Sequence, residues 1–388
     1  MEKQLVPEAV LARADKILFI TNLAIGDFLY WQTHFKAFHA AYPHIKIHVW
    51  VDEIRRTWKW WKWKGLKRYS LYDWLRECAF IEKIYDKTYS SATLVSSLKE
   101  ARAEGYPVIV SIANLRPHRY ALLGRLMGPK AFVAGLRGRI GWKGLNLWQR
   151  LMYKVLDASS PLQVKDLAPD HHITDRYAAW FNNFFGIQTE AAACRAVVEV
   201  PRQWRTNAKL TFLKWGIPRH AQAVGYRART VFINIFAKDK KRCWPLEAAL
   251  DLIAMLRSQD YFADAHFIFN TMPGQLKAMQ RALRENEVGN VILFSAHEHF
   301  FQLPALIEQC DLVISVETAV MHLAAALKVP VVALMRTKNP EWVPWDKEYA
   351  YVLMAAKRSD WVKNIPPTQV VHAVNAFLRE GVHTVAAS

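Results

Sequence analysis

The sequence predicts an α/β chain of two consecutive Rossmann-like, doubly wound domains, each a parallel sheet covered on both faces by helices. Three observations predict it. The chain has 388 residues, which suits two domains of about 150 to 200 residues, each able to bury its own core. Short β-rich apolar runs alternate with segments of helical periodicity in both halves. Hydrophobic residues make up 52% and aromatic residues 13%, which excludes a disordered chain.

The elements follow in order. KILFITN (Lys16–Asn22) is a short apolar strand, Gly26 allows a tight turn or a close backbone approach, and DFLYWQTHFKAFHAAYP repeats its apolar residues at helical spacing. IKIHVWV alternates as a strand, completing a βαβ opening. LVSSLKEARAEG reads as a helix, PVIVSIAN (Pro107–Asn114) as a second strand, and LRPHRYALLGRLMG as a basic segment after it. TDRYAAWFNNFFGIQ closes the first half, the linker falls in the mixed stretch Thr189–Arg205, and TVFINIFA begins a new sheet at Thr230. VFINIF, AHFIFN, VILF, DLVISV and VPVVALM then alternate with helices such as PLEAALDLIAML and AVMHLAAAL, and PPTQVVHAVNAFLREGV reads as a closing helix. The expected divisions are 1–190, 206–365 and a tail of 366–388. There is no internal repeat or low-complexity segment. Two successive parallel sheets lead us to expect an active site between the domains, where their carboxyl edges face across a cleft.

The formal charge of +18 points to a polyanionic partner: nucleic acid, an anionic membrane surface or a phosphorylated glycolipid. No apolar run reaches the roughly 18 to 20 residues of a membrane span. The start, MEKQLVPEAVLARAD, lacks a secretory core, so a cytoplasmic protein, soluble or peripheral on a membrane, is expected. Cys78, Cys194, Cys243 and Cys310 form no metal or redox spacing and read as buried or incidental thiols.

Three motifs carry chemistry. In NLAIGDF, Asp27 stands where a strand gives way to a helix; it suits a general base and equally an N-terminal cap. In VISVETAVMHLAAALKVPVVALM, the turn at Glu317 and Thr318 opens a helix whose free N–H groups suit a diphosphate, with His322 one turn further on; an ordinary capped turn with a core histidine reads the same way. FAKDKKRCWP crowds Lys238, Lys240, Lys241 and Arg242 into one loop, either to neutralise a diphosphate or as a solvated basic loop.

Together, KILFITNLAIGDFLYWQTHFKAFHAAYPHIKIHVWV and DLVISVETAVMHLAAALKVPVVAL resemble glycosyltransferase family 9, the ADP-heptose:lipopolysaccharide heptosyltransferases of Gram-negative bacteria. The resemblance implies a GT-B fold and an inverting transfer of heptose from ADP-heptose to the inner core of lipopolysaccharide, with no metal and no cofactor. It also implies that Asp27 activates the acceptor hydroxyl and that Thr318, His322 and the backbone at Ala319 and Val320 hold the donor. A lysine before the Trp-Pro pair would neutralise the diphosphate, with Lys241 preferred over Arg242. Two departures fall on the donor side: Glu317-Thr318-Ala319 stands where the family has Asp-Thr/Ser-Gly, and MRTKNPEW where it has a Gly-Pro-Thr loop. A different nucleotide-sugar donor on the same fold is therefore the alternative within the enzyme class.

Asn114, Arg116, His118 and Arg119 suit the phosphates or carboxylates of a lipid A/Kdo-type acceptor, or a surface-exposed helix start. His171, His172 and Arg176 read as a polar helix face. TWKWWKWKGLKR (Thr57–Arg68) interleaves Trp58, Trp60, Trp61 and Trp63 with lysines, a composition that favours the interface of the anionic inner membrane. The competing reading packs these rings into the first domain under the lysine stems. Nucleic acid is the partner from a different class and is not expected, because no recognised nucleic-acid module is present.

Overall fold

The computed structural model describes residues 4–139, 146–164, 167–168, 170–189, 195–217, 230–285 and 291–385. Cys194 and positions 190–194 of the expected linker lie outside the described residues. The chain divides into two compact units, Met1–Cys194 and Arg195–Ser388.

The first unit holds six parallel strands: β1 (Lys16–Thr21), β2 (Lys46–Val51), β3 (Ile81–Tyr85), β4 (Val108–Ser111), β5 (Phe132–Arg137) and β6 (Ala158–Pro161). Their order is β3-β2-β1-β4-β5-β6. β1 is central and apolar because both faces are covered, with Phe19 opposite Val49 on one side and Val110 on the other. On one face Phe19 meets Phe35 at 4.9 Å and Phe185 at 6.0 Å, so the helices Ile25–Ala41 and Ile173–Phe185 pack together over the sheet. Another core joins Leu18, Ile20, Trp50, Ile109 and Tyr120 to the segment's remaining helices. Aromatic burial on this scale makes any Phe→Ala change there cost about 3 to 5 kcal/mol.

The second unit repeats the plan. β7 (Thr230–Asn234), β8 (His266–Asn270), β9 (Val291–Phe294), β10 (Leu312–Val316), β11 (Val331–Met335) and β12 (Ala350–Met354) are all parallel, in the order β12-β11-β10-β7-β8-β9. Counted within the unit this is again 3-2-1-4-5-6, and its switch point lies between β7 and β10, as that of the first unit lies between β1 and β4. The closing helix Pro367–Val385 packs on the helix Leu246–Arg257, and buried Trp244 donates from Nε1 to the Ile365 carbonyl at 2.9 Å. Among the described residues, no helix is long and apolar enough to cross a membrane. Cys78, Cys243 and Cys310 are free thiols.

Candidate functional site

In the first unit, Asp27 lies in the first turn of the helix Ile25–Ala41, just beyond the carboxyl end of β1. One oxygen, Oδ2, accepts the Ala24 N–H at 3.0 Å, so the capping role is real. The other, Oδ1, accepts the Tyr177 hydroxyl at 2.8 Å, across 150 residues of sequence. Tyr177 is fully buried on the helix Ile173–Phe185, its ring stacked on Trp31 at 4.5 Å. Burial raises the Asp27 carboxyl above its ordinary 3.8, and the hydrogen bonds from Tyr177 and Ala24 oppose that rise only in part. The Tyr177 phenol is pushed well above 10, first by burial and then by the Asp27 charge, so it remains a donor. Each oxygen therefore spends one lone pair on the fold and keeps further acceptor capacity.

Gly26 has no left-handed φ, so the turn does not require glycine for that reason. A Cβ there would meet nothing within 4 Å, and the residue leaves open space beside Asp27.

At the end of β4, Asn114, Arg116 and Arg119 are exposed and His118 is half-buried. Arg116 holds φ 58° and ψ 54°, a left-handed conformation unusual for a residue before proline, and Pro117 starts the helix Pro117–Met127. Burial, then the charges of Arg119 and Arg116, lower the His118 pKa. In contrast, Arg56 pairs with Asp52, which also accepts the Tyr120 hydroxyl at 2.8 Å, and Arg55 chelates buried Glu53. Those two arginines are held by the fold; Arg116 and Arg119 carry no ion pair among the described residues. His172 departs from the polar-face expectation, since it is buried and caps the Ile173–Phe185 helix by accepting the Thr174 N–H at 3.2 Å; half-buried Arg176 and His171 pair with each other at 3.0 Å.

The tryptophan segment splits in two. Trp58, Trp60 and Trp61 are 77%, 71% and 55% exposed; Trp61 meets each of the other two edge-to-face, and Trp58 and Trp61 flank the Lys59 ammonium. Trp63 turns inward, donating from Nε1 to the Thr57 carbonyl at 2.9 Å and leaning on Tyr89. Trp63 is half-buried, so it differs from the other three and ties the segment to the first unit.

In the second unit, Thr318 caps the helix Ala319–Ala326 by accepting the Val320 N–H at 3.3 Å. It also accepts Asn234 Nδ2 at 3.0 Å, and Asn234 accepts Asn270 Nδ2 at 2.9 Å, so the ends of β7, β8 and β10 are tied by one polar chain. His322 is buried one turn later, 6.2 Å from the Trp342 ring, and Ala319 is half-buried at the helix start.

Glu317, expected on the donor side, is held by the protein's own side chains. It is buried, Oε1 lies 3.6 Å from Arg242 and 3.3 Å from Asn339, and Oε2 lies 3.5 Å from Arg336. A carboxylate would repel a diphosphate; here it fixes two guanidiniums beside the helix N-terminus. Lys238 and Lys240 are exposed, and Lys241, the preferred neutraliser from sequence, points over the Trp361 ring at 5.8 Å. Arg242 is the cation of that loop turned toward the helix. Its Nε and the Thr337 hydroxyl are buried without a hydrogen-bond partner among the described residues. Arg336, just past β11, and Tyr177 were not singled out from sequence; the only signal for Arg336 was the unusual MRTKNPEW loop.

Two Rossmann-type units, with a half-buried, hydrogen-bonded aspartate at the carboxyl edge of one sheet and guanidiniums at a helix N-terminus beyond the carboxyl edge of the other, fit a GT-B protein of the glycosyltransferase class. The family description "Glycosyltransferase family 9 (heptosyltransferase)" matches residues 138–366, and the chain belongs to that family. It is 28% identical over 130 residues to lipopolysaccharide heptosyltransferase 3 of Escherichia coli K12, a match covering 33% of this chain and 37% of that protein, so the chain spans about a third of the relative's length. Two solved structures share the fold: the family 9 glycosyl transferase of Veillonella parvula DSM 2008 (TM-score 0.69, 18% identity, 94% and 98% of the two chains) and E. coli ADP-heptose lps heptosyltransferase II (0.64, 17%, 94% and 99%).

Proposed function

We propose that this chain is an inverting heptosyltransferase that moves heptose from ADP-heptose to the inner core of lipopolysaccharide, without a metal. The observation that carries the reading is Asp27, a carboxyl raised by burial and fixed by Tyr177 at the carboxyl edge of the first sheet. Asp27 takes the proton of the acceptor hydroxyl as that oxygen bonds to the anomeric carbon and the bond from that carbon to the diphosphate breaks. ADP leaves with its charge received by Arg242, Arg336 and the first amides of the helix Ala319–Ala326, cationic and N–H groups that need no reorganisation at that moment. Thr318 and His322 line the donor, with Lys238 and Lys241 as outlying cations. Arg116, Arg119, His118 and Asn114 bind the anionic acceptor, and Trp58, Trp60 and Trp61 rest in the headgroup layer of the cytoplasmic face of the inner membrane.

A different nucleotide-sugar donor is the second reading, favoured by one observation: Glu317 and Arg336 replace the family's shorter carboxylate and its Gly-Pro-Thr loop. Calorimetric titration with ADP, UDP and GDP in the presence of a chelator separates the two. Selective ADP binding supports ADP-heptose; selectivity for UDP or GDP overturns the donor while keeping the transfer chemistry. Failure to bind all three rejects the assignment.

A further inference from the structure

A cavity of about 750 Å³ opens beside the carboxyl ends of β5 and β6 in the first unit, lined by Arg137, Arg139, Arg150, Lys154, Ser159 and Gln163 among others. Among the described residues that line it, four side chains are cations and none is an acid. Asp157, which precedes β6, is already engaged by Arg125 at 2.7 Å and by the Val133 N–H at 2.7 Å. Among the described residues, none of the four cations has an ion-pair partner. The wall is braced: the Gly138 N–H donates to the Tyr153 hydroxyl at 3.0 Å, and the Arg137 guanidinium lies 5.8 Å over the Tyr153 ring. Like charges gathered in one concavity repel each other unless an anion enters.

The cavity's neighbour decides which anion. Arg150 and Tyr153 belong to the helix Asn146–Tyr153, which also presents Leu147, Trp148 and Leu151 at 64%, 71% and 44% exposure. Those three positions fall on one helical face, three and four residues apart. The helix Pro117–Met127, packed beside it, leaves Leu122 and Leu126 exposed as well. A soluble phosphate accounts for the cations and leaves the leucines and tryptophan in water without a purpose. An apolar face with tryptophan, next to arginine and lysine, is the composition that lies in a bilayer interface.

We propose that this cavity seats the phosphate of an anionic glycerophospholipid, with Leu147, Trp148 and Leu151 inserted at the boundary of the acyl chains. The site is distinct from the Trp58–Trp61 segment and adjoins the proposed acceptor residues, since Tyr153 of its wall meets the His118 ring at 6.4 Å.

The test is co-sedimentation with vesicles of phosphatidylcholine, with and without phosphatidylglycerol, at fixed ionic strength. Three variants are compared: Arg137→Gln/Arg150→Gln/Lys154→Gln, Leu147→Ser/Trp148→Ser, and Trp58→Ser/Trp60→Ser/Trp61→Ser. All these side chains are at least partly exposed, so unchanged melting verifies the fold. Each cation near an anionic surface is worth about fivefold, so the charge variant should lose on the order of a hundredfold in affinity for phosphatidylglycerol vesicles. The Leu147→Ser/Trp148→Ser variant should lose binding too, and glycerol 3-phosphate should bind wild type far more weakly than vesicles do. Full vesicle binding by both cavity variants overturns the proposal, whatever the Trp58 variant does. Tight binding of glycerol 3-phosphate assigns the cavity to a free phosphate, and full vesicle binding by the Leu147→Ser/Trp148→Ser variant removes the inserted face; either result also overturns the proposal.

Discussion

Replacing Tyr177 by Phe removes one oxygen from the base and little else. The ring stays stacked on Trp31, while Asp27 Oδ1 loses a donor at 2.8 Å. A hydrogen bond to a charged acceptor contributes about 1.5 to 3 kcal/mol, and one pKa unit corresponds to about 1.4 kcal/mol. Asp27 is half-buried and keeps some contact with water, so the lower end applies and its carboxyl should rise by about one further unit. The acid limb of the kcat/KM profile, measured as heptose transfer to a detergent-solubilised acceptor, should move up by the same amount, with turnover recovering at higher pH. Stability carries a matching sign. Asp27 has a raised folded pKa, so its ionised form costs the fold stability above that pKa and the cost vanishes as the group protonates. Tyr177→Phe should therefore lower the melting temperature more at neutral pH than in acid. An unmoved acid limb with full turnover would refute Tyr177 as the group that positions and tunes the base. Equal losses at every pH, with reduced melting, would show a packing role alone.

Asp27→Asn should cut turnover by about 10² to 10⁴ while ADP affinity stays within about twofold, measured by initial rates and calorimetry. Arg242→Gln should weaken ADP binding by tenfold or more, and Lys241→Gln by little, since Lys241 lies over Trp361; the reverse order would return the diphosphate to Lys241. The triple change of Trp58, Trp60 and Trp61 to serine should leave melting unchanged and reduce binding to anionic vesicles, whereas Trp63→Ala should destabilise by about 1 to 3 kcal/mol through the lost Thr57 bond and the contact with Tyr89, read by denaturant titration.

The central strands were legible because burial on both faces leaves uninterrupted apolar runs, as in KILFIT and LVISV. β3, β6 and β12 were not, and all three are sheet edges: IEKIY carries Glu82 and Lys83, and ASSP is four residues ending in proline. β5, FVAGLR, is interior but carries Gly135 within its run. Asp27, Thr318 and His322 were legible because strand-to-helix turns mark them locally. Tyr177 and Arg336 were not, because each acquires its role through partners 150 and 19 residues away that only packing brings together. Glu317 was visible but its partners were not, since a sequence does not tell whether a carboxylate faces a ligand or its own arginines.

The shared 3-2-1-4-5-6 order of the two sheets separates scaffold from chemistry. The plan of apolar strands is common to both units, and the loops at each carboxyl edge differ, one furnished with a carboxylate and the other with guanidiniums. Innovation in such a protein is modular: exchanging the loops of one half can redirect what it recognises while the other half keeps its chemistry and its core.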